Sequence, residues 1–493
     1  MKRFSILVAT AALTAAVGCG GGGGGTGGKP AVDPKTGAAI VDSKGNAVSV
    51  AAANKYKDGL EAFNKHDKAR DWTEATCQEA AEIFLDAADE QSGKVLVEAI
   101  YNAGVSYQRC KQDAKAKEYF KKALDADPKF HRARVQLAIY SFAESQEKAI
   151  DQAINELYQA AVVDARFQNV EGLVQLGMLH MKRNNPQADK DGRTDLQNAK
   201  RYAQSALAVD DGYLPAFNLL ALIYMETAKV KAGRSSKKGV ATNVSKEKKI
   251  DTQALDLAAL VCSQAIRKNP NYAPIHNTAG MIQVELSNLN GAVSAFNTAR
   301  KLDPTFYEAQ MNFAAVNLSF RGFAQAEEAY RAALKMRPND YDAHLGLALA
   351  LRGQIDDTNF DKMVAAAAAE LAEAKKIAPE RAETYYNDAI LTQEYKAKSG
   401  GKDAEPMLLA AKQLFGEFIA KAGTAPEYAD AVKRSKERME EIQQIIDFNK
   451  QTEAERKAAE AEAKNRAAEA EAKGTEEGGG EAKPPEGGAP PPQ

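Results

Sequence analysis

Residues 273–306, APIHNTAGMIQVELSNLNGAVSAFNTARKLDPTF, run directly into residues 307–340, YEAQMNFAAVNLSFRGFAQAEEAYRAALKMRPND. The two stretches are equal in length and agree at their key places. Ala279-Gly280, Ala292, Phe296, Ala299 and Pro304 in the first correspond to Phe313-Ala314, Ala326, Tyr330, Ala333 and Pro338 in the second. An earlier stretch keeps the same order with Gly104, Tyr107, Ala116, Phe120, Ala123 and Pro128. Each copy reads as two helices. Gly104 or Ala314 lets them approach, and Phe120, Phe296 or Tyr330 fills the space between. The Asp-Pro pairs at 127–128 and 303–304 end the second helix, because proline lacks an amide donor and disfavours helical geometry before it. A lone hairpin leaves an apolar face that its neighbour must cover, so the copies stack.

This pattern is similar to the tetratricopeptide (TPR) signature. Weaker units extend it. They include Leu137-Ala138 with Ala153, Leu157 and Ala160, and Leu176-Gly177 with Ala199 and Ala206. Phe217, Leu220-Ala221 and Tyr224 precede a second helix with Ala258, Cys262, Ala265 and Pro270, and Leu347-Ala348 pairs with Leu371, Ala374 and Pro379. Degenerate units open the array near 52–92 and close it near 382–424. The resemblance implies an all-α fold, a TPR superhelical solenoid of about nine helix-turn-helix units over residues 52–424.

Composition narrows the function. Lys and Arg total 65 against 67 Asp and Glu, a formal charge of −2, without the basic excess of a nucleic-acid protein. The chain holds no HExxH, GxSxG, phosphate loop or CxxC. His66, His131, His180, His276 and His344 fall singly in different units, so no metal, cofactor or catalytic centre is expected. The reading is not an enzyme.

The first residues look like an address. Lys2 and Arg3 precede the apolar stretch Phe4–Val17, too short to span a membrane. Ala16-Val17-Gly18-Cys19 resembles the lipobox of bacterial lipoproteins, which implies a signal peptide over 1–18 and a lipid on Cys19. Gly20 follows where aspartate would imply retention on the inner membrane, so the resemblance points to the periplasmic face of the outer membrane. Gly20–Gly25 and the turn-rich residues after them read as a flexible tether over 19–51.

Two insertions interrupt the repeats. The stretch Ala228–Thr252 reads as a basic loop with Lys229, Lys231, Arg234, Lys237, Lys238, Lys246, Lys248 and Lys249, suited to an anionic lipid or glycan or to an acidic partner. The other, Asn184–Asp195, lacks two key calcium ligands of the loop it faintly resembles and reads as a turn. Past the array, 425–447 reads as an amphipathic capping helix, 448–473 as a charged Ala/Glu/Lys helix and 474–493 as a disordered Gly/Pro-rich tail.

The TPR resemblance also implies that first helices line a concave surface. Candidate partner-binding residues there are Asn218, Asn277 and Asn312, whose amides suit a peptide backbone, with Met178, Leu222, Met281 and Met311 as adaptable apolar contacts. In an oxidising compartment Cys77 and Cys110, at nearly equal distances from the turn of an antiparallel hairpin, are a disulfide candidate, while Cys262 reads as a buried free thiol. The expected function is a lipid-anchored periplasmic scaffold that binds envelope proteins. Lipobox, tether, array and charged tail together resemble the TPR lipoproteins of adventurous gliding-motility machinery. The alternatives are a lipoprotein that assists outer-membrane protein or secretin assembly, and a polysaccharide-binding or export factor acting through the basic loop.

Overall fold

A computed structural model describes residues 14–15, 31–34, 37–69, 71–91, 95–145, 149–231, 251–399 and 404–476. Among the described residues the chain folds as an all-α TPR-like solenoid of about nine hairpins. It divides into two compact units, residues 1–306 and 307–493.

The first unit holds six hairpins: α1 (Val50–Ala69) with α2 (Glu74–Asp89), α3 (Val97–Arg109) with α4 (Asp113–Ala126), and α5 (His131–Glu144) with α6 (Ile150–Tyr158). Then come α7 (Val170–Arg183) with α8 (Asp195–Val209), α9 (Leu214–Lys231) with α10 (Thr252–Lys268), and α11 (Ala273–Glu285) with α12 (Leu289–Leu302). The repeat chemistry acts as its residue types suggest. A Cβ placed on Gly280 would lie 2.6 Å from the Phe296 ring, so only glycine admits that ring. Phe120, Phe296 and Phe84 are each almost wholly buried. The turn inside a hairpin takes one left-handed residue, Lys111 (φ 60°) in α3–α4 and Ser287 (φ 60°) in α11–α12. A π-helical turn, Gln159–Asp164, prolongs α6 without a glycine or proline to announce it.

The described residues 31–34 and 37–48 differ from the sequence reading. They are clipped to the repeats rather than the end of a loose tether over 19–51. β2 (Ile40–Val41) pairs antiparallel with β1 (Thr14–Ala15), and Val32–Ala39 and Val41–Ala47 add single bridges. The segment is tied to the repeats: the Ser43 amide donates to Glu98 Oε1 (2.6 Å), the Ser49 amide to Gln91 Oε1 (2.9 Å), and Lys44 Nζ to the Ala126 carbonyl (2.6 Å). Ala31 and Val48 are buried. The Asn184–Asp195 insertion is a compact turn, with Gly192 at φ 75° donating to the Asp189 carbonyl.

The second unit holds α13 (Tyr307–Ser319) with α14 (Phe323–Met336), and α15 (Tyr341–Arg352) with α16 (Phe360–Ile377). Next, α17 (Ala382–Leu391) runs into a π-helical turn, Thr392–Lys396, and the short α18 (Ala397–Ser399). Its hairpin partner is α19 (Ala404–Ala422). Arginines in the turns between hairpins stack on tyrosines. Arg337 lies 3.6 Å above the Tyr307 ring and bonds Glu308, while Arg381 lies 3.8 Å above Tyr341 and bonds Asp342 and Glu383.

The separate capping and charged helices of the sequence reading are one helix, α20 (Ala429–Glu476). Residues 429–473 contain no glycine or proline, so nothing stops the helix where its apolar residues run out. Ile442 and Ile446 pack on Leu408, Ala411 and Phe415, whereas residues 451–468 are all exposed. The pairs Glu453–Lys457 and Glu462–Arg466 brace that exposed stretch. Among the described residues no helix is long and apolar enough to cross a membrane.

Candidate partner-binding face

In the first unit the first helices of successive hairpins touch one another, α7 against α9 and α9 against α11. Their second and sixth residues form a polar ladder at the start of this face: Glu98 and Asn102 on α3, Arg132 and Gln136 on α5, Glu171 and Gln175 on α7. Hydrogen bonds cross between hairpins. Asn102 Nδ2 donates to Tyr56 Oη (2.8 Å), Gln108 Nε2 to Gln136 Oε1 (3.3 Å), and Gln136 Nε2 to Glu171 Oε1 (2.8 Å).

The ladder carries unspent polar atoms. Gln175 is 1% exposed, yet neither its amide nitrogen nor its amide oxygen has a hydrogen-bond partner. Glu98 Oε2, Gln108 Oε1 and Glu226 Oε1 are buried in the same condition. An unsatisfied buried group costs about 1–3 kcal/mol, a cost these closed positions carry within the fold. Arg132 is half-buried, and its guanidinium forms no ion pair or hydrogen bond among the described residues. Its charge is felt by the phenols of Tyr56, Tyr101 and Tyr213. Burial, with Glu171 nearby, holds the Tyr101 and Tyr213 phenols well above their usual range. Burial also raises the Glu98 carboxyl.

The residues singled out from sequence lie on first helices but are less open than expected. Met178, Leu222 and Met281, on α7, α9 and α11, are half-buried against the hydrophobic core. Asn218 Oδ1 accepts from Thr278 Oγ1 (2.6 Å), and Asn277 is 7% exposed, so their amides serve the packing between helices. Met311 and Asn312, half-buried on α13, belong to the second unit. The sequence reading missed the ladder. Its signal was the recurrence of polar residues at the same two places in three successive first helices.

The basic loop needs correction at its start. Lys229 and Lys231 lie in α9, because the helix runs to Lys231, and Lys229 Nζ is paired with Glu285 Oε1 on α11 (3.3 Å). Arg234, Lys237, Lys238, Lys246, Lys248, Lys249 and the lipobox Cys19 lie outside the described residues. The structure joins Cys77 and Cys110 in a disulfide, with Cα atoms 6.3 Å apart, and leaves Cys262 a buried thiol whose pKa burial pushes up to about 12.

The histidines are committed to structure. His180 Nδ1 meets Asp195 Oδ1 (2.7 Å), His66 Nδ1 meets Asp71 (2.8 Å), and His344 bonds both Glu370 and the Pro338 carbonyl. Among the described residues no three His, Cys, Asp or Glu side chains are grouped to hold a metal.

Residues 97–130 match the tetratricopeptide repeat family. No curated protein matches the sequence. Among solved structures the chain is similar to a thermophilic TPR protein of Thermus thermophilus, at 21% identity and TM-score 0.35, over 45% of this chain and 99% of that one. It is also similar to the pilF protein of Pseudomonas aeruginosa, at 17% identity and TM-score 0.36, over 51% and 94%. A tetratricopeptide repeat protein from Parabacteroides merdae matches at 14% identity and TM-score 0.35, over 62% and 98%.

Proposed function

We propose that this chain is a scaffold whose first unit holds an extended segment of a partner protein along its first helices. The observation that carries the reading is the half-buried Arg132 guanidinium, which forms no ion pair among the described residues and sits within the polar ladder of the first helices. It suits a carboxylate on an extended segment, whose backbone matches polar side chains. The partner chemistry is thus an extended polypeptide bearing at least one acidic group. Arg132→Ala and Arg132→Glu test it together. Each is expected to release bound partner while the helical content stays intact, and unchanged co-purification of every partner would refute the assignment.

The lipobox sequence supports a second part of the proposal: Cys19 is lipidated, and the scaffold works in the periplasm from the outer membrane. The resemblance to gliding-motility lipoproteins makes an envelope-spanning motility complex the assembly of choice. Cys19→Ser should move the protein from the membrane fraction to soluble periplasm. A variant that stays membrane-bound after a high-salt wash would contradict the anchor.

A further inference from the structure

One face of α8 carries two cations, Lys200 and Arg201, without matching acids among the described residues. Arg193, Gln197, Lys200, Arg201 and Gln204 line, with Gly192, an open depression beside the turn between α7 and α8. Lys200 and Arg201 form no ion pair among the described residues. Each is laid over a ring instead. Lys200 Nζ lies 4.9 Å from the centroid of Tyr224, and Arg201 Cζ lies 5.6 Å from that of Phe167 and 5.9 Å from that of Tyr202. Stacking of this kind holds a cation in place without cancelling its charge, so less ordering remains to be done when an anion arrives. The neighbouring acids are engaged elsewhere. Asp195 binds His180 and Arg183, and Asp189 accepts from Asn198 Nδ2 (2.7 Å). Asp191 stands 3.2 Å from Arg193 in an exposed pair, which competes weakly with a polyanion.

The lining also narrows the ligand. Gln197, Lys200, Arg201 and Gln204 share one helical face about 10 Å long, which suits a linear chain better than a single ion. A protein partner is usually anchored by an apolar or aromatic pocket, and no apolar or aromatic side chain lines this depression. Single-stranded nucleic acid needs open rings for its bases, but Lys200 and Arg201 cover the rings here. A linear acidic carbohydrate offers carboxylates or phosphates to the cations and hydroxyls to the Gln204 amide and the Gln197 amide nitrogen, the Gln197 oxygen being held by the Thr194 amide (2.8 Å). The geometry points to α8 as a binding face for an anionic polysaccharide. It lies on the second helix of its hairpin and is independent of the first-helix face.

The test measures binding of the full chain to immobilised polygalacturonate, with neutral dextran and polyglutamate as comparison probes. The wild type is expected to bind polygalacturonate, to release it as salt rises, and to ignore dextran. Lys200→Gln with Arg201→Gln should weaken binding by about tenfold or more, the loss of two charged contacts. The exposed change Gln204→Glu should weaken it as well, by placing a carboxylate in the depression. Unchanged thermal unfolding in both variants separates the effect from folding. Full affinity in both variants would overturn the proposal, as would tighter binding to polyglutamate. So would a loss seen only when Lys237, Lys238, Lys246, Lys248 and Lys249 are changed to Gln.

Discussion

Gln136 donates a hydrogen bond to Glu171 across 2.8 Å, and both side chains are buried where α5 meets α7. The bond joins two hairpins, so neither residue alone reveals it. It also fixes the orientation of Glu171 one turn of helix from Gln175, whose own amide is left unpaired.

Phe296 seals its hairpin against Gly280, and Phe296→Ala should cost about 3–5 kcal/mol. In a stacked array coupling is mainly between neighbours, so hydrogen exchange should rise most in α11–α12 and little in α3–α4. A uniform rise along the first unit would contradict this.

Helix α7 is capped in a way that acid should undo. His131 Nδ1 accepts from Asn169 Nδ2 (3.0 Å), and the Asn169 side chain in turn accepts from the Gly172 amide (2.9 Å). Burial, with Arg132 adjacent, lowers the His131 pKa to about 4, below its unfolded value near 6.5. The stability it contributes is therefore complete above about pH 6.5 and is lost as pH falls toward 4. Between pH 7 and pH 5 the loss should be about 1–2 kcal/mol, allowing for partial exposure. Titration of the His131 ring by NMR checks it, and a midpoint near the ordinary histidine value would refute the capping role.

The Cys77–Cys110 disulfide closes a loop with a sequence separation of 33. Chain entropy gives about 3–4 kcal/mol for such a loop, so Cys77→Ser with Cys110→Ser should lower the stability of the first two hairpins by about that much. Mass spectrometry of unreduced protein should find the cross-linked peptide with Cys262 unmodified. Three free thiols in oxidised material would contradict the pairing.

The array was legible because its determinants are local and repeated. Gly280, Phe296 and Pro304 recur at one spacing, and a glycine opposite a large ring followed by Asp-Pro has few other structural meanings. The ladder was not, since Gln136 and Glu171 acquire their roles from bonds between hairpins. Residues 37–48 were misread because Lys44-Gly45-Asn46 signals a turn equally well in a tether or in a segment clipped to Glu98 and Gln91. The boundary placed at 447–448 followed the end of the apolar residues. Burial ends there, but helix propensity does not, and α20 continues to Glu476.

The most direct test of the scaffold account is a photo-reactive residue placed at the half-buried Met178 on the first helix α7 in intact cells, with a second placed at Lys122 on the second helix α4 as the control. The account predicts a discrete polypeptide adduct from position 178 that disappears when Arg132→Ala is added, and no such adduct from position 122. Equal adducts from both positions, or an adduct from 178 that is indifferent to Arg132, would contradict it.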